Sequence, residues 1–186
     1  MGSKEESVIP IHRIGWFALI ILLIGLTGCA AEATLVPPTP RPNQERVQIA
    51  DLEIVTGQTI YVPAYSDIYF DTNKSLDLAI TLSVHNTDLA HSIVLTSVRY
   101  YNTQGQLVQE FISQPRPLGP LEAVDFFVPP SDETGGVGAN FIVEWGAEQP
   151  VYEPVVEAVM IGTITSLGFS FTSPGRVISQ TGTFGE

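Results

Sequence analysis

Two histidines and an aspartate that flank one predicted turn are the residues of this chain best suited to do chemistry. His85, Asp88 and His91 follow one another at intervals of three positions. Neutral imidazole and carboxylate are good ligands for zinc or copper, so the three could bind a metal ion. The same groups could activate a serine nucleophile if the fold brought them to one. The serines considered for that role are Ser66, Ser83, Ser92 and Ser97.

Sequence patterns that hold such residues in known sites are missing. The chain has no G-x-S-x-G, no C-x-x-C and no H-E-x-x-H. We therefore interpret His85 and His91 as partly exposed turn residues and predict neither a catalytic residue nor a cofactor. A hydrolase or metal-handling role for His85, Asp88 and His91 is the alternative.

A glycine-rich loop over 131–138 is the second place where a ligand could bind. Asp132, Glu133 and, just beyond the loop, Asn140 could offer oxygen atoms to calcium, but their spacing is not that of an EF-hand loop. The loop also lacks the lysine of a phosphate-binding loop. We therefore interpret 131–138 as a solvated loop between strands, with a calcium or ligand contact as the alternative.

Glu144 and Glu157 could serve a glycosidase only if they were held close together. Each lies between apolar residues in a strand pattern, which favours placement on the solvent side of the fold.

The only cysteine in the chain, Cys29, has a third kind of chemistry available to it. It follows an apolar run, Trp16 to Gly28, that is too short for a membrane span of about 20 residues. The order Leu26-Thr27-Gly28-Cys29 resembles the lipobox of bacterial lipoproteins. That resemblance implies cleavage before Cys29 and lipid attachment to its thiol, so we predict a lipoprotein signal peptide over 1–28. An ordinary signal peptide or an uncleaved anchor is the alternative.

Prolines mark the segment after the cysteine, which we predict to be a linker over 29–56. Pro37, Pro38, Pro40 and Pro42 exclude a helix and favour an extended chain. Such a linker would hold a folded domain away from the membrane.

The remainder has the alternating pattern of β-strands, in Leu76 to Val84 for example, and turn residues separate the segments. We predict an immunoglobulin-like antiparallel β-sandwich of about eight strands over 57–180, with a tail over 181–186. Gln58–Tyr61 and Ile68–Phe70 are expected to form an early strand pair. The expected core is Trp145, Phe141, Phe169, Phe171 and Tyr100.

The net charge of the chain limits the kinds of partner that it can bind. The formal net charge is −12, and the first 28 residues contribute nothing to it. The exported part should be repelled by nucleic acid, so no nucleic-acid partner is predicted.

Several segments together resemble a bacterial family known only as a domain of unknown function, DUF3124. The resemblance covers roughly 57–178 and implies an exported domain without a known activity or site residues. The segments are Tyr61–Ser66, Leu82–Asp88, Thr96–Tyr101, Gly138–Trp145 and Val156–Gly162.

We therefore predict a lipoprotein of the cell envelope, facing the periplasm or the cell exterior. Its partners would be the membrane, through the N-terminal lipid, and an envelope protein or other envelope component. The expected function is a non-catalytic binding or interaction module.

Overall fold

All regular structure in this computed structural model is β, and the residues it describes are 53–164 and 166–184. Within them no helix is long and apolar enough to cross a membrane. The strands are β1 (Thr56–Pro63), β2 (Asp67–Asp71), β3 (Lys74–Asp77), β4 (Ala79–His85), β5 (Ile93–Tyr101), β6 (Leu107–Glu110), β7 (Arg116–Leu118), β8 (Ala123–Val128), β9 (Asn140–Ala147), β10 (Val155–Ile164), β11 (Leu167–Pro174) and β12 (Arg176–Thr181).

Two antiparallel sheets form the domain. The six-stranded sheet has the order β12-β1-β9-β5-β6, and β7 also pairs with β5. The four-stranded sheet has the order β11-β10-β4-β8, while β2 and β3 form a separate hairpin. Buried side chains of both larger sheets belong to one apolar cluster, which is the packing of a sandwich. The predicted all-β antiparallel sandwich is confirmed.

Burial alternates along the central strands because one face of each sheet is covered by the other sheet. In β4, for example, Ile80, Leu82 and Val84 are fully buried and His85 is exposed. β5 and β6 form a hairpin across a turn closed by Asn102, whose Oδ1 accepts the N–H of Gln106.

One predicted pairing is wrong. The segments Gln58–Tyr61 and Ile68–Phe70 are both in strands, but they do not pair with each other. β1 lies between β9 and β12, whereas β2 pairs with β3. After β1 the chain leaves the sheet because its next N–H groups bond to the region of the glycine loop. Ala64 donates its N–H to the carbonyl of Ala139, just after the loop, and Ser66 donates its N–H to the carbonyl of Gly136 within it.

Twelve strands are described rather than about eight, for three local reasons. The segment from Leu76 to Val84 forms two strands, because Leu78 between them donates its N–H to the carbonyl of Ser66. β7 is short and contains Pro117, which gives little strand signal. β12 is exposed at every residue, so it shows no alternation of buried and exposed side chains from which a strand could be predicted.

The predicted core is correct for three of its five aromatic residues. Tyr100, Phe141 and Trp145 are at most 3% exposed. Phe169 and Phe171 are only partly buried and pack against the edge of the cluster, because β11 is the outermost strand of its sheet and has a neighbour on one side only.

Candidate functional site

Asn86, directly after β4, connects the loops at one end of the sandwich. Its side chain is 2% exposed, and its Nδ2 lies 2.8 Å from the carbonyl oxygen of His91 and 2.9 Å from that of Gly119. Its Oδ1 accepts the N–H of Asp88 at 3.0 Å. One amide group therefore joins the turn after β4 to the turn between β7 and β8, and we call this end of the molecule the Asn86 end.

Asp88 fixes the next part of the same turn. Its Oδ1 accepts the N–H groups of Ala90 and His91 at 2.9 and 2.8 Å, and its Oδ2 accepts the N–H of Tyr152 at 3.2 Å. The bond from Ala90 contributes most to lowering the pKa of Asp88, against the opposing effect of burial. The bonds from His91 and Tyr152 and the charge of His91, whose Nδ1 lies 3.2 Å away, lower it further.

His85 does not join Asp88 and His91. It points outward from β4, where its Nε2 lies 2.7 Å from the hydroxyl of Ser83 on the same strand. Over 53–164 and 166–184, no three histidine, cysteine, aspartate or glutamate side chains converge closely enough to hold a metal ion. The structure thus brings together Asp88 and His91 but not His85, and the contacts of Asp88 with backbone N–H groups stabilise the loop.

Ser83 and His85 have the contact of a nucleophile and its base, but their setting is a flat sheet. Ser83 lies in the middle of β4 between Asp125 of β8 and Glu157 of β10. Because β4 pairs on both sides, its backbone N–H groups are used by the ladders and none is placed to stabilise an oxyanion. The arrangement supplies a hydrogen bond between two exposed side chains.

Four large apolar side chains stand out into solvent around the Asn86–Asp88 turn. Leu89 is 74% exposed, Leu121 66%, Val155 48% and Tyr152 46%. Leu121 and Val155 also line a shallow cleft of about 400 Å³ next to His85. We refer to these four residues as the apolar patch.

The backbone holds the patch in a fixed and strained shape. Leu121 has a φ of +57°, which is rare for a bulky residue and costs on the order of 1–3 kcal/mol. Its N–H donates to the carbonyl of Asp88 at 3.2 Å, and Glu122 accepts the N–H of Asn86 at 2.9 Å. The same buried turn that carries Leu89 therefore also holds Leu121 in place.

The glycine loop lies at the opposite end of the sandwich, and its predicted ligands do not converge. Asp132 accepts the N–H of Thr134 within its own loop at 2.9 Å. Asn140 is the first residue of β9 and pairs with Tyr101 and Pro63. Glu133 faces a cleft of about 360 Å³.

That cleft is lined by acids and hydroxyls. Glu133 meets Asp67 and Asp77, which lie directly opposite each other on β2 and β3, with Ser66 and Ser75 beside them. The carboxylates would repel anions. They fall short of a three-residue metal cluster among the positions that the structure describes.

Close packing of the loop explains two of its glycines. The buried hydroxyl of Tyr100 lies against Gly135, where there is no room for a Cβ atom. Gly136 has a φ of +84°, and its N–H donates to the Ser66 hydroxyl at 2.6 Å. Burial raises the pKa of Tyr100 to about 12, opposed by the Ser66 hydroxyl and assisted by the charges of Asp132 and Asp67.

Glu144 and Glu157 lie on the outer faces of different sheets. Glu144 of β9 forms an ion pair with Arg99 on the outer face of the six-stranded sheet. Glu157 of β10 lies on the outer face of the four-stranded sheet and points away from the core. Since packed sheets are about 10 Å apart, carboxylates on their outer faces are too distant to share a substrate bond.

Sequence reasoning missed Asn86 and the four residues of the apolar patch. A signal was present in Leu89 and Leu121, which are large apolar residues inside turn segments rich in Asn, Asp, Gly and Pro. The predicted lipid site at Cys29 and nearly all of the predicted linker lie outside the described residues.

Comparison with known proteins gives one clear relationship. No curated protein matches the chain. The crystal structure of Thermotoga maritima 1070 is similar with a TM-score of 0.39 and 10% identity, covering 64% of this chain and 92% of that one. A likeness this weak shows neither a shared fold nor a shared function. The family model described as "Protein of unknown function (DUF3124)" matches residues 57–178, which is well over half of the chain. The resemblance found in the sequence is thereby confirmed, and the chain belongs to the DUF3124 family.

Proposed function

We propose that this protein is a lipid-anchored module of the cell envelope that binds a partner protein through its apolar patch. The observation that carries the proposal is the rigid exposure of Leu89, Leu121, Tyr152 and Val155 at one end of the sandwich. Exposed apolar groups that cluster on a well-supported surface are typical of protein interaction sites.

Preorganisation supports binding at this end. Asn86 and Asp88 are 2% and 5% exposed and satisfy backbone groups from three separate segments. Loops held in this way lose little conformational freedom on binding, which favours affinity. The strain at Leu121 also has a use here, since it directs an apolar side chain outward rather than into the core.

Charge indicates the chemistry of the partner. The patch lies beside Glu122, Glu153 and Glu157, and the exported part of the chain carries the whole net charge of −12. A partner with an apolar centre and a basic rim would complement this surface and would be attracted to it at long range.

Location in the envelope rests on the signal peptide and Cys29. An acylated cysteine explains a lone thiol in an exported chain, and the proline-rich linker explains how an acidic domain can stand near anionic lipid.

Site-specific photocrosslinking of the full chain in intact cells tests the binding site. A photoreactive residue at Tyr152 should give one recurrent adduct with an envelope protein, while the same residue at Leu107, which is 54% exposed on β6, should not. The Tyr152 adduct should disappear with Leu121→Gly, which removes the side chain but accepts the positive φ.

Two results would refute the proposal: the same adducts from Tyr152 and Leu107, or a Tyr152 adduct that survives both Leu121→Gly and Leu89→Asp. The thermal unfolding midpoint of each variant provides the control, because Leu121→Gly relieves backbone strain and should not lower it.

A further inference from the structure

β11 is an edge strand that lacks the usual protection against pairing. Its residues Leu167 to Pro174 pair with Glu157 to Ile164 of β10 in an unbroken register of eight positions. No strand among the described residues lies on its other side. An edge of this kind presents a row of backbone N–H and C=O groups to any extended chain that approaches it.

The other edge strands of the two larger sheets each carry a feature that opposes further pairing; β7, for example, has three residues and contains Pro117. β8 carries Asp125 and is followed by Pro129 and Pro130. β6 has four residues and an irregular register with β5, and β12 carries Arg176 and a register shift opposite Thr59 and Ile60. β11, by contrast, has no charged residue, no proline before its last position and no bulge.

Aromatic side chains at the same edge are incompletely covered. Phe169 and Phe171 point toward the core but are only partly buried; Phe171 packs against Tyr65, and no described strand lies beyond β11. On the outer face of β11, Ser170 and Thr172 are exposed and uncharged. A strand added here would cover apolar surface on one face and would meet only small hydroxyl groups on the other.

We propose that the occupant of this edge is β11 of a second copy, so that two four-stranded sheets join into one continuous antiparallel sheet. The strand is neutral in a chain of net charge −12, so two copies can meet here without bringing like charges face to face. An antiparallel strand pair across a two-fold axis is self-complementary. Because the opposite edge of the same sheet is blunted at β8, pairing ends at two copies and forms a closed dimer.

A single charge on β11 tests this arrangement in the full-length chain. The association state is measured by sedimentation in detergent. Thr172→Lys should convert a dimer to a monomer, since lysine on an edge strand opposes pairing. Phe127→Lys is the matched control: it adds the same charge to the exposed face of β8, on the opposite edge of the same sheet, and should leave the dimer intact.

Cysteine crosslinking gives an independent readout should the lysine variant fail to fold. Single substitutions Ser170→Cys and Thr172→Cys, made with Cys29 retained, should give a disulfide-linked dimer under mild oxidation for at least one position, and Phe127→Cys should give none. A monomeric wild-type chain, or a dimer unaffected by Thr172→Lys together with equal crosslinking at β8 and β11, would overturn the proposal. The outcome is separate from the partner proposal, because the apolar patch and β11 share no residue.

Discussion

Asn86 and Asp88 are two residues apart in one turn, and each joins segments that are distant in sequence. Asn86 reaches the turn before β8, and Asp88 reaches Tyr152 before β10. A neutral amide can both donate and accept, which suits Asn86 to a buried position among carbonyl groups. A carboxylate only accepts, which suits Asp88 to a cluster of N–H groups.

The support from Asp88 should depend on pH. N–H donors hold its folded pKa below the ordinary value of 3.8, so its contribution to stability is fully present above that value and is lost as the pH falls through the folded pKa. We expect Asp88→Asn to lower the free energy of unfolding by about 1–2 kcal/mol at pH 7. The difference from wild type should shrink at pH 3, as measured by urea unfolding at both pH values.

Asp132→Asn is the matched control for that experiment, because it removes a carboxylate that accepts hydrogen bonds only within its own loop. It should change the free energy of unfolding at pH 7 by no more than about 0.5 kcal/mol. A loss of stability from Asp88→Asn that is equally large at pH 3 would show that the charge of Asp88 is not what stabilises the turn.

Residue types in this turn were readable from the sequence, but their partners were not. Histidine, aspartate and asparagine around a turn are compatible with both a turn support and a metal site. Alternation in β4 correctly predicts that His85 faces outward, yet two partners of Asn86, the carbonyl groups of Leu118 and Gly119, lie more than thirty positions away in the chain. Only the folded chain shows that Asp88 bonds with backbone groups rather than with His85.

At the scale of elements, the packing of the glycine loop against β5 is sensitive to a small change in side-chain size. A Cβ atom at Gly135 would overlap the Tyr100 hydroxyl and lie 2.9 Å from its Cζ. We expect Gly135→Ala to lower the free energy of unfolding by about 1–3 kcal/mol, because overpacking forces the neighbouring atoms to move. Gly119→Ala, whose Cβ would meet nothing nearer than Glu122 at 3.6 Å, should cost much less.

A double-mutant cycle distinguishes this contact from a general loss of loop flexibility. Tyr100→Phe removes the hydroxyl that a Cβ atom at Gly135 would overlap, so it should relieve most of the overlap. Gly135→Ala should therefore be less costly in the Tyr100→Phe background. An equal cost in both backgrounds, measured by chemical denaturation, would mean that the alanine acts elsewhere.

Strand prediction succeeded where one face is buried and failed where none is. Residues of β4 alternate between buried and more exposed, and β5 is rich in β-branched and aromatic residues, so the positions of both strands follow from the sequence. β12 has six exposed residues and lies at an edge. Its place beside β1 depends on backbone hydrogen bonds, and these leave no pattern of side chains in the sequence. The open edge of β11 has no sequence pattern of its own, and it becomes visible only when the edge strands of the two larger sheets are compared.

At the scale of the whole molecule, acidity and the proposed anchor act against each other. A chain of net charge −12 is repelled by anionic lipid, so the proposed residence at a membrane requires a covalent or strongly apolar attachment. Lipid chains provide about 0.8 kcal/mol for each buried methylene, and two or three chains exceed the repulsion by a wide margin.

Replacing Cys29 tests that attachment directly. In cells, Cys29→Ala should leave a chain that is unprocessed or released from the membrane fraction, and that fails to incorporate labelled fatty acid. Ala31→Ser, a change of similar size two positions later, should be processed and anchored as wild type. The described domain contains no cysteine and lies well beyond this position, so its urea unfolding should be the same in all three proteins.

If the Cys29→Ala chain remained in the membrane with the mass shift of wild type, the anchor would have to lie elsewhere. Mass spectrometry of each purified chain decides the point, because acylation adds a defined mass to the peptide that begins at residue 29.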